Sequence, residues 1–346
     1  MITKMGADPV VFALADEHSE SDRGRFDGAQ VELGRVRGPA QVGYSPELGQ
    51  KLLMADLDLL HLHGIWMATS HLAARWAART ERPYVISPHG MLDPWITARG
   101  RNKKRVARLG YERRSWARAS LFHALTQAEA TDIIRETDRY EVDVIPNAVM
   151  PTYNGSMSAE GTGGIVYLGR IHPKKNIAAL VEAWCLLTHH SGSSVPTLTI
   201  AGWGDETHVA EVRAQVDRVA DARLQFVGPV FGDAKRKLIA EAVVLALPSL
   251  SEGLPMAILE AWAAGVPTAM SVHCHLPEGY EAGAAVDSGT DVPSIAAALA
   301  VLTSEDAATR AGRRAAARTL VKQHFSDDVI RNRWELAYDR LLEANI

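Results

Sequence analysis

Only two of the 346 residues are cysteine, Cys185 and Cys274. Two thiols cannot build a disulfide framework, and their scarcity fits a reducing compartment. No apolar run approaches the roughly 20 residues that span a bilayer. The opening stretch MITKMGADPVVFALADEHSE has a short apolar segment with the wrong flanks for a signal peptide: one lysine before it, an acidic cluster after it, and no small-residue cleavage site. The expectation is a cytoplasmic protein. Aromatic residues make up 6% of the chain and the net charge is −4, so neither a stacking platform nor a basic field argues for nucleic acid. Internal repeats and low-complexity tracts are absent too.

What is present is an ordinary globular composition, 47% hydrophobic and 23% charged, in a chain long enough for two cores. Short β-rich runs alternate with longer helical patterns. The first series is Val10–Ala15, Leu59–His63, Tyr84–Ser87, Leu121–Leu125 and Val142–Ile145; the second is Ile165–Leu168, Leu198–Ala201, Leu224–Val227, Val243–Leu247 and Pro267–Met270. Several are continuously apolar, as strands covered on both faces must be. Helical patterns such as Ile177–Thr188 and Glu206–Ala220 lie between them, so the fold class is α/β with two parallel, Rossmann-like sheets. The segment 151–164, PTYNGSMSAEGTGG, has no apolar period and reads as a linker between domains at 1–150 and 165–324. The residues after it, 325–346, carry Val329, Trp334, Ala337, Tyr338 and Leu341 at helical spacing, a helix expected to pack back on the N-terminal domain.

Four stretches of the second half point to one kind of ligand. Gly169-Arg170-Ile171-His172-Pro173-Lys174-Lys175-Asn176 joins a strand to a helix, where free backbone N–H groups favour anions. Arg170 adds a planar fork and Lys175 a point charge, a combination suited to a diphosphate. Gly202 and Gly204 follow the strand Leu198–Ala201 and allow a close approach to the backbone. Gly228-Pro229-Val230 ends another strand, with backbone groups placed to read a base edge. Ser249-Leu250-Ser251-Glu252-Gly253-Leu254-Pro255 runs into the helix Met256–Ala264, which carries Glu260 among apolar neighbours. Carboxylates accept hydrogen bonds from sugar and ribose hydroxyls. Each stretch alone also fits an ordinary solvated turn or strand exit.

Taken in order, Gly169 to Gly265 resembles the C-terminal domain of GT-B glycosyltransferases of family four, the group 1 glycosyltransferases. The spacing Glu252 to Glu260 is similar to that family's paired-glutamate motif, with the Gly-Arg-x4-Lys turn upstream at its usual place. The resemblance implies two domains facing a cleft and a retaining hexosyltransferase that takes its sugar from a nucleotide-diphosphate sugar. It implies that Arg170 and Lys175 hold the diphosphate, Glu260 the ribose, Glu252 the transferred sugar, and Gly228 to Val230 the base. Gly202, Gly253 and Leu254 line the same donor site. In the N-terminal half, His89 stands where the family has a histidine against the donor sugar. His61 and His63 share a strand face, which alone suggests metal chelation only weakly. The expectation is no metal and no further cofactor, with cations and helix N-termini stabilising the leaving group. The biological setting implied is surface polysaccharide or glycolipid synthesis on a glycan or lipid-linked acceptor.

Two features stand apart from the family pattern. Met1 to Met5 reads as the end of a helix stopped by Gly6, and Val10–Ala15 as a second strand, so the first strand and its Gly-rich loop are expected to be missing. A catalytically silent nucleotide-sugar-binding protein is therefore the alternative. Trp262 and Ala148 are milder departures. Arg99–Arg118 is locally very basic, with Glu112 its only acid. It fits an anionic membrane surface at the inner face of the cell membrane, the phosphates of a lipid-linked acceptor, or a solvated helix face.

Overall fold

The computed structural model describes residues 2–26, 28–150 and 163–344. Most of the linker expected at 151–164 lies outside the described residues. Contacts divide the chain into two compact units, Met1–Pro146 with Ile330–Ile346, and Asn147–Val329. Both are α/β, and all strand pairings in both are parallel.

Unit 2 is built on one six-stranded sheet. Its strands are β7 (Ile165–Leu168), β8 (Leu198–Ala201), β9 (Leu224–Gly228), β10 (Val244–Leu247), β11 (Thr268–Met270) and β12 (Ala285–Asp287), in the order β12-β11-β10-β7-β8-β9. The continuous apolar runs of β7 and β10 are buried at every position, which their central place requires. Strand order reverses between β7 and β10. In a doubly wound sheet the loops leaving the carboxyl ends of two such strands diverge and open a crevice. Helices Ile177–Ser191 and Val292–Ser304 pack together on the sheet, and Met256–Ala263 packs against Ala307–His324. Trp262, a departure in sequence, is fully buried: its ring lies 6.2 Å from that of Phe325 and its indole N–H donates to Thr268 Oγ1 at 3.1 Å.

Unit 1 has two sheets. β1 (Val10–Leu14) pairs with β2 (Gln30–Gly34), and β3 (Leu60–His63), β4 (Tyr84–Ser87), β5 (Leu121–Ala124) and β6 (Val142–Val144) form a separate four-stranded sheet in that order. Phe12 and Leu14 of β1 and Leu60 and Leu62 of β3 pack on one core around Trp76, Tyr84 and Phe122. One edge of β1 and one of β3 carry no strand among the described residues. Ahead of β1, Ile2–Met5 is a single 3₁₀ turn, closed by Gly6 at φ 76°. The final helix, Asp327–Glu343, contributes Trp334 and Tyr338 to this unit.

Two strands escaped the sequence reading, β2 and β12. β12 is a three-residue edge strand and β2 an edge strand with alternating polar residues, so neither carries an apolar run. None of the described helices is long and apolar enough to cross a membrane.

Candidate functional site

The loop after β7 and the loop after β10 meet because those strands are neighbours. In the first, His172 caps the short 3₁₀ turn Pro173–Lys175 and Asn176 ends it at φ 56°. The Asn176 amide donates to the carbonyls of Pro248 at 3.1 Å and Thr290 at 2.7 Å, tying the turn to the second loop. Leu250 N–H donates to the Lys174 carbonyl at 2.7 Å, a second tie. Thus held, Lys175 Nζ lies 2.5 Å and 2.6 Å from the two oxygens of Glu252. Ser249 Oγ also donates to Glu252, at 2.6 Å, and Glu252 N–H donates to the His273 carbonyl. The Glu252 side chain is 7% exposed and that of Lys175 19% exposed, so the pair sits in a partly desolvated mouth.

Arg170, exposed in the same β7 connection, makes no ion pair among the described residues. Its guanidinium stacks 5.3 Å from the ring centre of Trp203. The Tyr167 hydroxyl donates to the Arg170 carbonyl at 2.7 Å and fixes the turn; burial holds that phenol well above its ordinary pKa, helped by the charge of Glu252. Gly202 and Gly204 serve the chain rather than open a space. A Cβ at Gly202 would fall 1.9 Å from the Gly169 carbonyl oxygen, and one at Gly204 2.1 Å from that of Ile171. These two glycines let the β8 exit lie against the Arg170 turn, where Ile171 and Gly204 form an isolated bridge. Gly228 has φ 75°, which favours glycine, and its carbonyl accepts from Gly202 N–H at 2.8 Å. Val230 and Leu254 pack, half-buried, on the core.

At Gly253 an added Cβ would meet nothing within 4 Å, so the backbone there is open. Next comes helix Met256–Ala263, whose N-terminus no side chain caps. Glu260, a charge among apolar neighbours, calls for a partner. The structure supplies one: Lys235 Nζ, from helix Gly232–Glu241, lies 2.7 Å away. Lys235 is the site neighbour that sequence reasoning missed; nothing in its Lys-Arg-Lys surroundings singles it out. Buried Cys274, beneath the same loops, has its thiol pushed up to about 12 by burial.

In unit 1, His89 stands two residues past β4 at φ 54°, its Nε2 2.9 Å from His63 Nδ1 and the rings stacked. A second chain of bonds runs beside it. Tyr338 Oη lies 2.7 Å from His61 Nδ1, His61 Nε2 2.6 Å from Ser87 Oγ, Ser87 Oγ 2.6 Å from His123 Nδ1, and His123 Nε2 2.6 Å from the Ile145 carbonyl. That carbonyl can only accept, so His123 donates from Nε2 and accepts at Nδ1. Ser87 then donates to His123 and accepts from His61, which accepts the Tyr338 proton. All four links are consistent with neutral imidazoles. Burial lowers His123 to about 4, and it drives His61 well below its ordinary value with help from the nearby imidazoles. The stretch Asp56-Leu57-Asp58 is an Asp-x-Asp sequence. It precedes β3 at the amino ends of the strands, and Asp56 is exposed and paired with Arg82.

Two family models match the chain. "Glycosyl transferase 4-like domain" covers residues 2–148 and "Glycosyl transferases group 1" covers residues 162–305. O-antigen chain mannosyltransferase B of Escherichia coli is 30% identical over 138 residues, 39% of this chain and 35% of that protein. Amylovoran biosynthesis glycosyltransferase AmsK of Erwinia amylovora is 30% identical over 128 residues, 34% of this chain and 30% of that one. These alignments take in about a third of each curated relative. Among solved structures, Anabaena HepE in complex with UDP-glucose superposes with a TM-score of 0.75 at 21% identity, covering 96% of this chain and 91% of that one. Sucrose-phosphate synthase from Thermosynechococcus elongatus gives a TM-score of 0.71 at 17% identity, covering 98% and 97%. The two matched models, taken with these parallel-sheet units, place the chain in the group 1, family-four-like glycosyltransferases of GT-B fold.

Proposed function

We propose that this chain transfers a sugar from a nucleotide-diphosphate sugar to a glycan or lipid-linked acceptor, with retention of configuration and without a metal ion. The observation that carries the reading is the cationic mouth of unit 2, where unpaired Arg170 and Glu252-paired Lys175 stand at the switch point of the sheet. A diphosphate leaving group needs fixed positive charge, and these residues with the uncapped helix start at Met256 supply it. Glu252 takes hydroxyls of the transferred sugar, and Glu260 those of the ribose. Gly228 to Val230 face the base, and His89 contacts the donor sugar.

In the transfer step the bond from the anomeric carbon to the phosphate oxygen breaks as the bond to the acceptor oxygen forms on the same face. The acceptor proton passes to the departing phosphate oxygen, so no protein nucleophile is required. The names of the curated relatives support a role in surface polysaccharide synthesis. The exposed, basic helix Arg101–Arg118, with Val106 and Leu109 outward, suits attachment to anionic lipid at the inner face of the cell membrane.

A second reading, nucleotide-sugar binding without turnover, is favoured by the divided sheet of unit 1. Calorimetry with UDP, GDP and ADP and their sugar conjugates, without metal, tests both readings. Tight binding of one nucleotide that is lost in Arg170→Ala supports the donor site. Donor hydrolysis or transfer then selects the first reading, and its absence the second. A folded chain that binds none of them refutes both.

A further inference from the structure

A strongly cationic concavity lies in unit 1, lined by none of the donor residues of unit 2. It is an open cavity of about 1020 Å³, walled by the turn Pro94–Ala98 and by the long helix that follows. Five cations line it, Arg101, Lys104, Arg105, Arg108 and Arg113, against one acid, Glu136. Arg108 is paired with Glu136 at 2.5 Å, and Lys104 Nζ reaches the Ile96 carbonyl. Arg101, Arg105 and Arg113 have no ion-pair partner among the described residues.

Helix geometry explains how five cations share one face. Positions 101, 104, 105 and 108 follow the i, i+3, i+4, i+7 pattern of one α-helical stripe. An unbroken α-helix turns about 100° per residue and would leave Arg113 roughly 140° from Arg108. Residues Arg108–Glu112 instead form a π turn, and Arg113 N–H donates to the Arg108 carbonyl five residues back. The wider turn stacks Arg113 near Arg108. The same turn directs Glu112 inward, where it is fully buried and accepts from Trp66 N–H at 2.5 Å and from Ser70 Oγ at 2.9 Å. The row from Arg101 to Arg108 is about 10 Å long at 1.5 Å per residue, more than a single phosphate needs and suited to two linked ones.

We infer that this cavity seats the diphosphate group of the acceptor. The inference rests on the transferase reading for that ligand's role, while its charge and shape follow from the cavity. After allowing for Glu136, an excess of four cations faces a group carrying two to three negative charges, and the remaining volume admits a sugar attached to it.

The test is titration of the full chain with inorganic pyrophosphate at low ionic strength, in wild type and two double variants. Arg101→Gln/Arg113→Gln alters the cavity; Lys103→Gln/Arg114→Gln removes equal charge from exposed positions of the same helix that do not line it. Binding at the donor residues of unit 2 is common to all three proteins. The expected result is at least about tenfold weaker binding of one pyrophosphate in the first double, with the second within about twofold of wild type. Equal losses in both doubles would overturn the inference and assign the helix's charge to diffuse attraction of anions. No loss in either would overturn it as well. Recruitment to phosphatidylcholine vesicles carrying a prenyl diphosphate, lost in the first double alone, identifies a lipid headgroup as the source. Pyrophosphate binding without such recruitment identifies a soluble diphosphate. Nucleotide-sugar binding, measured in the same first double, is expected to persist; its absence already in wild type counts against the transferase reading rather than against the cavity.

Discussion

Lys175 Nζ lies within 2.6 Å of both oxygens of Glu252, although the two residues are 77 positions apart in the chain. Adjacent strands β7 and β10 bring them together, and the Asn176 amide holds their loops in register. The pair sets the resting charge of the mouth. Lys175 is neutralised by Glu252 until a stronger anion competes for it, whereas Arg170 remains available throughout. On the proposed donor reading, a diphosphate would meet one free cation first and draw the second away from its carboxylate, freeing Glu252 to accept sugar hydroxyls.

Opening that pair from each side has different consequences. Glu252→Gln keeps the shape and the Ser249 hydrogen bond while releasing Lys175. Nucleoside diphosphate affinity is expected to hold or tighten, and sugar transfer to fall about 10²–10³-fold. Lys175→Met strands a carboxylate whose side chain is only 7% exposed, and unit 2 is expected to lose roughly 3 kcal/mol. The double variant should recover most of that stability. Chemical denaturation of all four proteins, with nucleotide titrations, checks the cycle. A nucleotide affinity lost equally in Glu252→Gln would remove the sugar role from Glu252.

Arg170→Ala makes the complementary case. Its guanidinium is exposed and stacks on a Trp203 that is itself 52% exposed, so little folding energy resides there. The melting temperature is expected to stay within a degree or two, while nucleoside diphosphate affinity drops about 10–100-fold through loss of a bidentate contact. A comparable loss in stability would show that the residue supports the turn rather than the ligand.

These contrasts mark how far the sequence is legible. Strands β7 and β10 were plain because central strands are apolar at every position; β12 and β2 were not, being edge strands without such a run. The residues of the mouth, Arg170, Lys175, Glu252 and Glu260, were each visible as polar groups at strand exits or on an apolar helix. Their partners were not. Lys235 reaches Glu260 from another helix, and the Lys175–Glu252 contact depends on strand order, which no local pattern encodes. The π turn at Arg108–Glu112 was invisible for the same reason. The basic run showed that charge was present, and only the changed helical period shows where it converges.

The neutral histidines of unit 1 give the fold a defined pH response. His61 and His123 are held below their ordinary value, chiefly by removal from water, with His123 at about 4. The unfolded chain, titrating near 6.5, binds these protons first. Stability is therefore full above about pH 6.5 and is lost as pH falls toward 4. His123, 4% exposed, alone accounts for about 3 kcal/mol across that window. Thermal melts from pH 7.5 to 4.5 should show a steady fall, shallower in His123→Asn. A protonated His123 would also displace the Ser87 proton from its acceptor, loosening the link through His61 to Tyr338. Identical pH slopes in the two proteins would place the acid sensitivity elsewhere.

Two glycines of unit 2 separate what the fold needs from what the ligand needs. Gly202→Ala drives a methyl to 1.9 Å from the Gly169 carbonyl oxygen, which is backbone and cannot swing aside. The β8 exit must then part from the Arg170 turn, breaking the packing that carries the isolated bridge of Ile171 with Gly204. A loss of roughly 3 kcal/mol or more is expected, as for overpacked cores, with the donor mouth lost as a consequence. Gly253→Ala faces no atom within 4 Å and no left-handed backbone, so the folded protein should tolerate it, with a melting temperature at or slightly above wild type. If the backbone at Gly253 lies against the donor phosphates, the same methyl occupies the ligand's space. Donor affinity should then fall about tenfold or more in a fully stable protein. Unchanged affinity in Gly253→Ala would move the diphosphate away from this loop and leave Arg170 and the β7 connection as its only anchor.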